Sequence, residues 1–111
     1  MDKKLRVWWM PQIGIDATFY VPVKSPEEAK KVMDILAAYD CFQYNHGIKP
    51  DYANAGGVQI WSEEEQEWND WYYEDENLFY ENVDEYCEEK SDMADELVEF
   101  SKAVFSQVHF D

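Results

Sequence analysis

The feature that most restricts the fold lies between residues 81 and 99. Glu81, Asp84, Glu85 and Glu88 are followed, eleven residues on, by Asp92, Asp95, Glu96 and Glu99. At about 100° per residue these eight carboxylates fall within an arc of about 120°. The opposite arc holds Phe79, Val83, Tyr86, Cys87, Ala94, Leu97, Val98, Ser101, Val104, Phe105 and Val108. Neither stripe loses phase across Glu89 to Asp92, so the pattern predicts one amphipathic helix from about residue 77 to 107, about 45 Å long. A break at Ser91, which can cap a second helix, is the alternative.

This helix carries most of a segregated charge. Residues 1–57 hold seven Lys/Arg and seven Asp/Glu, whereas residues 58–111 hold two and eighteen, so the whole net charge of -16 lies in the second half. Acidic segments of this density are often disordered because they cannot bury enough apolar surface to offset the entropy of ordering. Here Trp68, Trp71, Tyr72, Tyr73, Leu78, Phe79, Tyr80, Leu97 and Phe100 are interleaved with the acids, which predicts a folded segment. At 111 residues the chain has room for one domain with one core, with residues 1–74 as a ββαββ body and 75–109 as an acidic helical segment.

In the first half, "KLRVWWM" and the alternating "ATFYVPV" predict an antiparallel hairpin around "PQIGID". Pro22 lacks a donor for the ladder and should place its strand at an edge or at a bulge. "SPEEAKKVMDILAAYD" predicts a helix with Ser25 as N-cap, Pro26 at the first position, Glu28 completing a capping box, and an apolar stripe of Ala29, Val32, Met33 and Leu36. Glu27 and Lys31 have the spacing of an i,i+4 ion pair. Residues 40–57, "DCFQYNHGIKPDYANAGG", show no period and are expected to form a long loop. "VQIWS" and "EWNDWYY" around "EEEQ" predict a second hairpin. The order ββαββα reads as α+β, an antiparallel sheet with helices on one side.

Several functions are disfavoured. No secretory signal is evident, since Pro11 and Gln12 cut off the apolar run after Lys3, Lys4 and Arg6, and no run reaches the roughly 20 apolar residues of a membrane span. A cytoplasmic location is expected, with no membrane partner. Cys41 and Cys87 lack a CxxC neighbour and are expected to be reduced and buried. The Ca²⁺ loop pattern D-x-[DN]-x-[DN]-G is absent, and carboxylates spread along a helix cannot converge on one ion, so no metal or other cofactor is expected. His46 and His109 belong to no catalytic motif, and the chain is not expected to be an enzyme. Direct stacking of exposed Trp and Tyr on nucleic acid is opposed by the net charge.

An acidic face ordinarily only keeps a helix wet. Such faces usually mix both signs, because like charges at i,i+4 cost a few tenths of a kcal/mol per pair. Only Lys90 and Lys102 relieve this one, and Glu63, Glu64, Glu65, Glu67, Asp70, Glu74, Asp75 and Glu76 add to it. Duplex DNA presents about one charge per 1.7 Å of axis. The expectation is therefore a nucleic-acid mimic that enters a basic cleft on another protein through Glu74, Asp75, Glu76, Glu81, Asp84, Glu85, Glu88, Asp92, Asp95, Glu96 and Glu99. Two alternatives stand beside it. His46, Lys49, Asp51, Tyr52 and Asn54 could line a pocket against Trp8, Trp9 or Trp61 that sequesters a nucleotide signal, and some of the five tryptophans could form a homodimer contact.

The block "LRVWWMPQ", followed by "SPEEAKKVMDILAAYDCFQYNHGIKPDYANAGGVQIW", resembles small bacteriophage accessory proteins, some labelled superinfection exclusion. The resemblance covers about residues 5–72 and leaves the acidic helix outside. It implies a place in the host bacterial cytoplasm and an inhibitory role against host defence or nucleic-acid machinery, with a CRISPR effector or a restriction enzyme as the kind of target. Several anti-CRISPR and anti-restriction proteins are acidic DNA mimics.

Overall fold

The structure, a computed structural model, describes residues 4–12, 17–49 and 53–108. β1 (Leu5–Met10) pairs antiparallel with β2 (Phe19–Val23) on one side and with β3 (Ala55–Ser62) on the other. β3 pairs in turn with β4 (Glu67–Asp70), giving the sheet order β2-β1-β3-β4. Both expected hairpins form, and Pro22 lies on the edge strand β2, where a missing N–H costs no ladder bond. In β1 the alternation turns Leu5, Val7 and Trp9 inward, while Arg6, Trp8 and Met10 stay on the wetter face.

α1 (Pro26–Asn45) starts as its sequence requires: Ser25 accepts a hydrogen bond from the Glu28 N–H at 3.1 Å, with Pro26 in the first turn. It runs five residues beyond the expected end at Asp40. The missing stop is the reason, because no Gly or Pro interrupts "CFQYN" and Cys41 continues the buried side of the helix. The end comes at Gly47, whose φ of 73° is left-handed; Gly47 N–H bonds Tyr44 C=O at 3.1 Å and Ile48 N–H bonds Gln43 C=O at 2.8 Å, a Schellman closure. The expected loop over 40–57 is thus helix at its start and strand at its end.

The second half corrects the single long helix. After β4 come a two-stranded ribbon, β5 (Tyr73–Glu74) with β6 (Phe79–Tyr80), then α2 (Val83–Glu89) and α3 (Ala94–Phe105). Asp75 takes residues 77 and 78 out of any helix: its Oδ1 accepts the N–H groups of Asn77 and Leu78, both at 2.8 Å, and its own N–H bonds Leu78 C=O at 2.9 Å. Asn82 then caps α2 by accepting the Glu85 N–H at 3.1 Å. The helix breaks again at Ser91, whose Oγ accepts the Met93 N–H at 3.1 Å and donates to Glu27 of α1 at 2.5 Å. That bond engages Glu27, while Lys31 pairs across to Glu96 at 3.8 Å.

The architecture is α+β. Leu5, Val7, Val23 and Val58 of the sheet pack with Ala29 of α1, Val83 and Cys87 of α2, Leu97 of α3, and Trp71. A satellite cluster joins Ala38 and Cys41 to Val108, with Val104 and Phe105 against it. Phe79 and Val98, expected on the apolar stripe, are exposed because the ribbon and the kink rotate them out. Tyr86 anchors the ribbon, with ring centroids 5.0 Å from Tyr73, 5.5 Å from Trp71 and 6.0 Å from Tyr80. Cys41 and Cys87 are buried and unbridged.

Candidate acidic interaction surface

Two turn tips build the most concentrated part of the acidic surface. The β3–β4 turn is held by Ser62, whose Oγ accepts the Glu65 N–H at 3.1 Å while its C=O accepts the Gln66 N–H at 2.8 Å, with Gln66 at φ 56°. This turn presents Glu63, Glu64 and Glu65 to an open cleft of about 1050 Å³, and the β5–β6 ribbon presents Glu74, Asp75 and Glu76 to the same cleft. Trp61, Tyr72 and Tyr73 line it between the acids. Neither tip belongs to a helix. The sequence offered a signal for this convergence in two acidic turns flanking an antiparallel strand, but the pairing of the turns depends on tertiary folding.

Asp75 differs from its neighbours. The Asn77 N–H and the Tyr73 hydroxyl, 2.9 Å away, hold its carboxyl below the usual range, and Lys90 lies at 3.7 Å. The same bond to the Asp75 carboxylate raises the Tyr73 phenol. Asp75 is therefore the organiser of the turn as much as a member of the acidic surface.

The helical acids form a second face. Glu81, Asp84, Glu85, Glu88, Asp92, Asp95, Glu96 and Glu99 are all exposed, on two short helices and their connections rather than on one rod. Four of the eleven sequence-predicted residues have a lysine within 4 Å: Asp84 meets Lys30 at 3.3 Å, Glu96 meets Lys31, Glu99 meets Lys102 at 3.8 Å, and Asp75 meets Lys90. Among the described residues, no ion pair involves Glu74, Glu76, Glu81, Glu85, Glu88, Asp92 or Asp95.

Lys30 lies beneath this face, 3.3 Å from both Asp34 and Asp84. Burial works against its charge, but the two carboxylates more than offset that, and its pKa rises above 10.5. Asp34 moves upward too. A salt bridge alone would lower it, yet desolvation outweighs Lys30, and Asp84 adds repulsion. Burial and the nearby Glu27 push the Cys87 thiol up to about 12, so at neutral pH it is a packed thiol without thiolate reactivity.

The residues of the alternative pocket do not gather around a void. Lys49 and Asn54 turn inward onto Asp40, at 3.6 Å and 3.0 Å, and Lys49 also bonds the Pro11 carbonyl. His46 is exposed at the end of α1, its ring 4.2 Å from that of Phe42. Asp51 and Tyr52, like His109, lie outside the described residues. Among the described residues no group of three His, Cys, Asp or Glu side chains could hold a metal ion. None of the described helices is long and apolar enough to cross a membrane.

No solved structure matches the chain. It is 43% identical over 96 residues to the superinfection exclusion protein of Salmonella phage P22, covering 77% of this chain and 90% of that protein. Residues 4–92 match the family described as Superinfection exclusion gene product 17. The match extends past residue 72, where the sequence resemblance was expected to stop, and takes in the ribbon and α2; α3 lies beyond it. With most of its length covered, the chain belongs to the phage superinfection exclusion gene product 17 family.

Proposed function

We propose that this phage protein is an inhibitor that occupies the basic nucleic-acid cleft of a host protein, of the CRISPR-effector or restriction-enzyme kind, in the bacterial cytoplasm. The supporting observation is the convergence of Glu63, Glu64, Glu65, Glu74, Asp75 and Glu76 on one cleft; the acids of α2 and α3 are exposed as well. The backbone that carries these carboxylates is already folded in turns and short helices, so binding a cationic partner costs side-chain ordering but little backbone ordering. Association should be fast and should weaken with salt. The family's name, superinfection exclusion, fits a protein that blocks a process in the infected cell.

The test is displacement. Host proteins retained on immobilised DNA are washed at low salt with the wild-type protein, with a variant reversed to lysine at Glu63, Glu64, Glu74 and Glu76, or with one reversed at Glu85, Glu88, Asp92 and Asp95. Wild type should release a defined set of proteins, and at least one reversed variant should release none. Equal release by both variants overturns the reading. The nucleotide-sequestering alternative gains no support from the geometry, because Lys49 and Asn54 already serve Asp40.

A further inference from the structure

The sheet has a face that the acidic surface does not use. The helices pack on the side formed by Leu5, Val7, Val23 and Val58. The strand register turns Arg6, Trp8, Tyr20, Gln59, Trp68 and Asp70 to the opposite side. There Arg6 lies between two rings, its Cζ 3.9 Å from the centroid of Tyr20 on β2 and 4.2 Å from that of Trp68 on β4, while its Nε donates to Gln59 Oε1 at 2.8 Å. The guanidinium is held in place, yet its terminal nitrogens meet no acceptor among the described residues. Trp8 folds its indole across Gly57, its partner on β3: a Cβ there would lie 2.7 Å from Nε1 and 3.1 Å from Cε2. An indole seated over a glycine turns its other π-face away from the sheet. Tyr20 is 47% exposed beside it.

This face also differs in charge. Lys30, Lys31, Lys49, Lys90 and Lys102 each have a carboxylate within 4 Å, whereas Lys4, Arg6 and Lys24 have none among the described residues. Leu5 pairs with Val23, which brings the exposed Lys4 and Lys24 to one end of the face. Asp70 is the one carboxylate at its strand positions among the described residues. We infer that this face binds single-stranded nucleic acid, with bases stacked on Trp8 and Tyr20 and phosphates held by Arg6, Lys4 and Lys24. The net charge of -16 opposes such binding only where it is felt. The screening length of about 8 Å at physiological salt is well below the 21 Å shortest extent of the molecule, and the acids of α2 and α3 lie on the far side of the sheet. A duplex hides its base faces, whereas a single strand offers both bases and phosphates. An anionic lipid surface shares the phosphate chemistry, but membrane anchors bury apolar groups about 5–10 Å deep, and Trp8 lies along the sheet instead. The inference stands apart from the proposed target, since none of the acids assigned to that contact takes part.

Fluorescence anisotropy tests it, with a short labelled oligothymidylate titrated with the full chain at physiological salt, and with a duplex of equal length and phosphatidylglycerol vesicles as the other arms. Wild type should bind the strand in preference to the duplex. Trp8→Ala should weaken that binding roughly tenfold, and the double variant Lys4→Gln with Lys24→Gln should weaken it several-fold. Circular dichroism verifies that each variant is folded. An affinity that either variant leaves unchanged overturns the inference, as does equal binding of the duplex. So does a wild type that leaves the strand unbound, and vesicle binding in that case assigns the face to lipid.

Discussion

Trp9 donates its indole N–H to the Asp40 carboxylate at 2.9 Å, tying the inward face of β1 to the far half of α1. The same oxygen accepts from Asn54 at 3.0 Å, and Lys49 lies 3.6 Å from the other. Asp40 thus closes the crossing from α1 to β3 from inside. Asp40→Ala should destabilise the protein by about 3–5 kcal/mol, because it strands the nearly buried Lys49 ammonium and orphans two donors. Asp40→Asn, which keeps the shape and an acceptor, should cost less. Urea unfolding of the two variants measures the difference.

Lys30 bridges α1 to α2 through Asp34 and Asp84. Lys30→Met leaves Asp34 as a half-desolvated carboxylate without its cation. Because Asp84 is well exposed and water reaches the cluster, the expected loss at neutral pH is about 2 kcal/mol, below the value for a fully enclosed pair. With its folded pKa raised, Lys30 contributes stability that is complete below 10.5 and fades as pH climbs through the raised value. Asp34, also raised, carries a penalty once ionised that is relieved by acid. Thermal melts should therefore show the Lys30→Met deficit shrinking on both the acid and the strongly alkaline side of neutrality.

The β5–β6 turn should respond to acid on its own. Asp75 has a depressed pKa, so its contribution is present above 3.8 and is lost as pH falls through the lower folded value. The amide resonances of Asn77 and Leu78 should shift together as Asp75 protonates. Asp75→Ala should abolish that titration and loosen the ribbon at all pH values.

Two adjacent glycines should differ in tolerance. A Cβ at Gly56 would overlap the ring of Trp9, which is buried and held by Asp40, whereas one at Gly57 would lie 2.7 Å from Nε1 of Trp8, on the wetter face of the sheet. Gly56→Ala should cost about 2–3 kcal/mol through overpacking of a ring that cannot move. Gly57→Ala should cost less, since Trp8 can swing outward. Chemical denaturation of the pair provides the check.

What could be read from the chain follows how local each signal was. The Ser25–Pro26 start of α1, the edge position of Pro22 and both sheet hairpins were legible because turn and cap chemistry act over a few residues. The apolar stripe of α2 and α3 was also legible, with Val83, Cys87 and Leu97 buried as the period required. The breaks in that stripe were not. They depend on Asp75 folding onto the amides ahead of it and on Ser91 reaching Glu27 from 64 residues away. Periodicity senses a face but not the chain reversals that preserve it. The Asp40 hub was hidden for a similar reason, as four of its participants come from β1, α1 and the segment before β3.

Leu97 is 1% exposed and packs in the main cluster, yet it lies in α3, five residues after the family match ends at 92. A chain cut at that boundary would keep every strand and lose the plug from its own interior. Any relative that stops there must fill the hole with a bulkier neighbour or with another molecule.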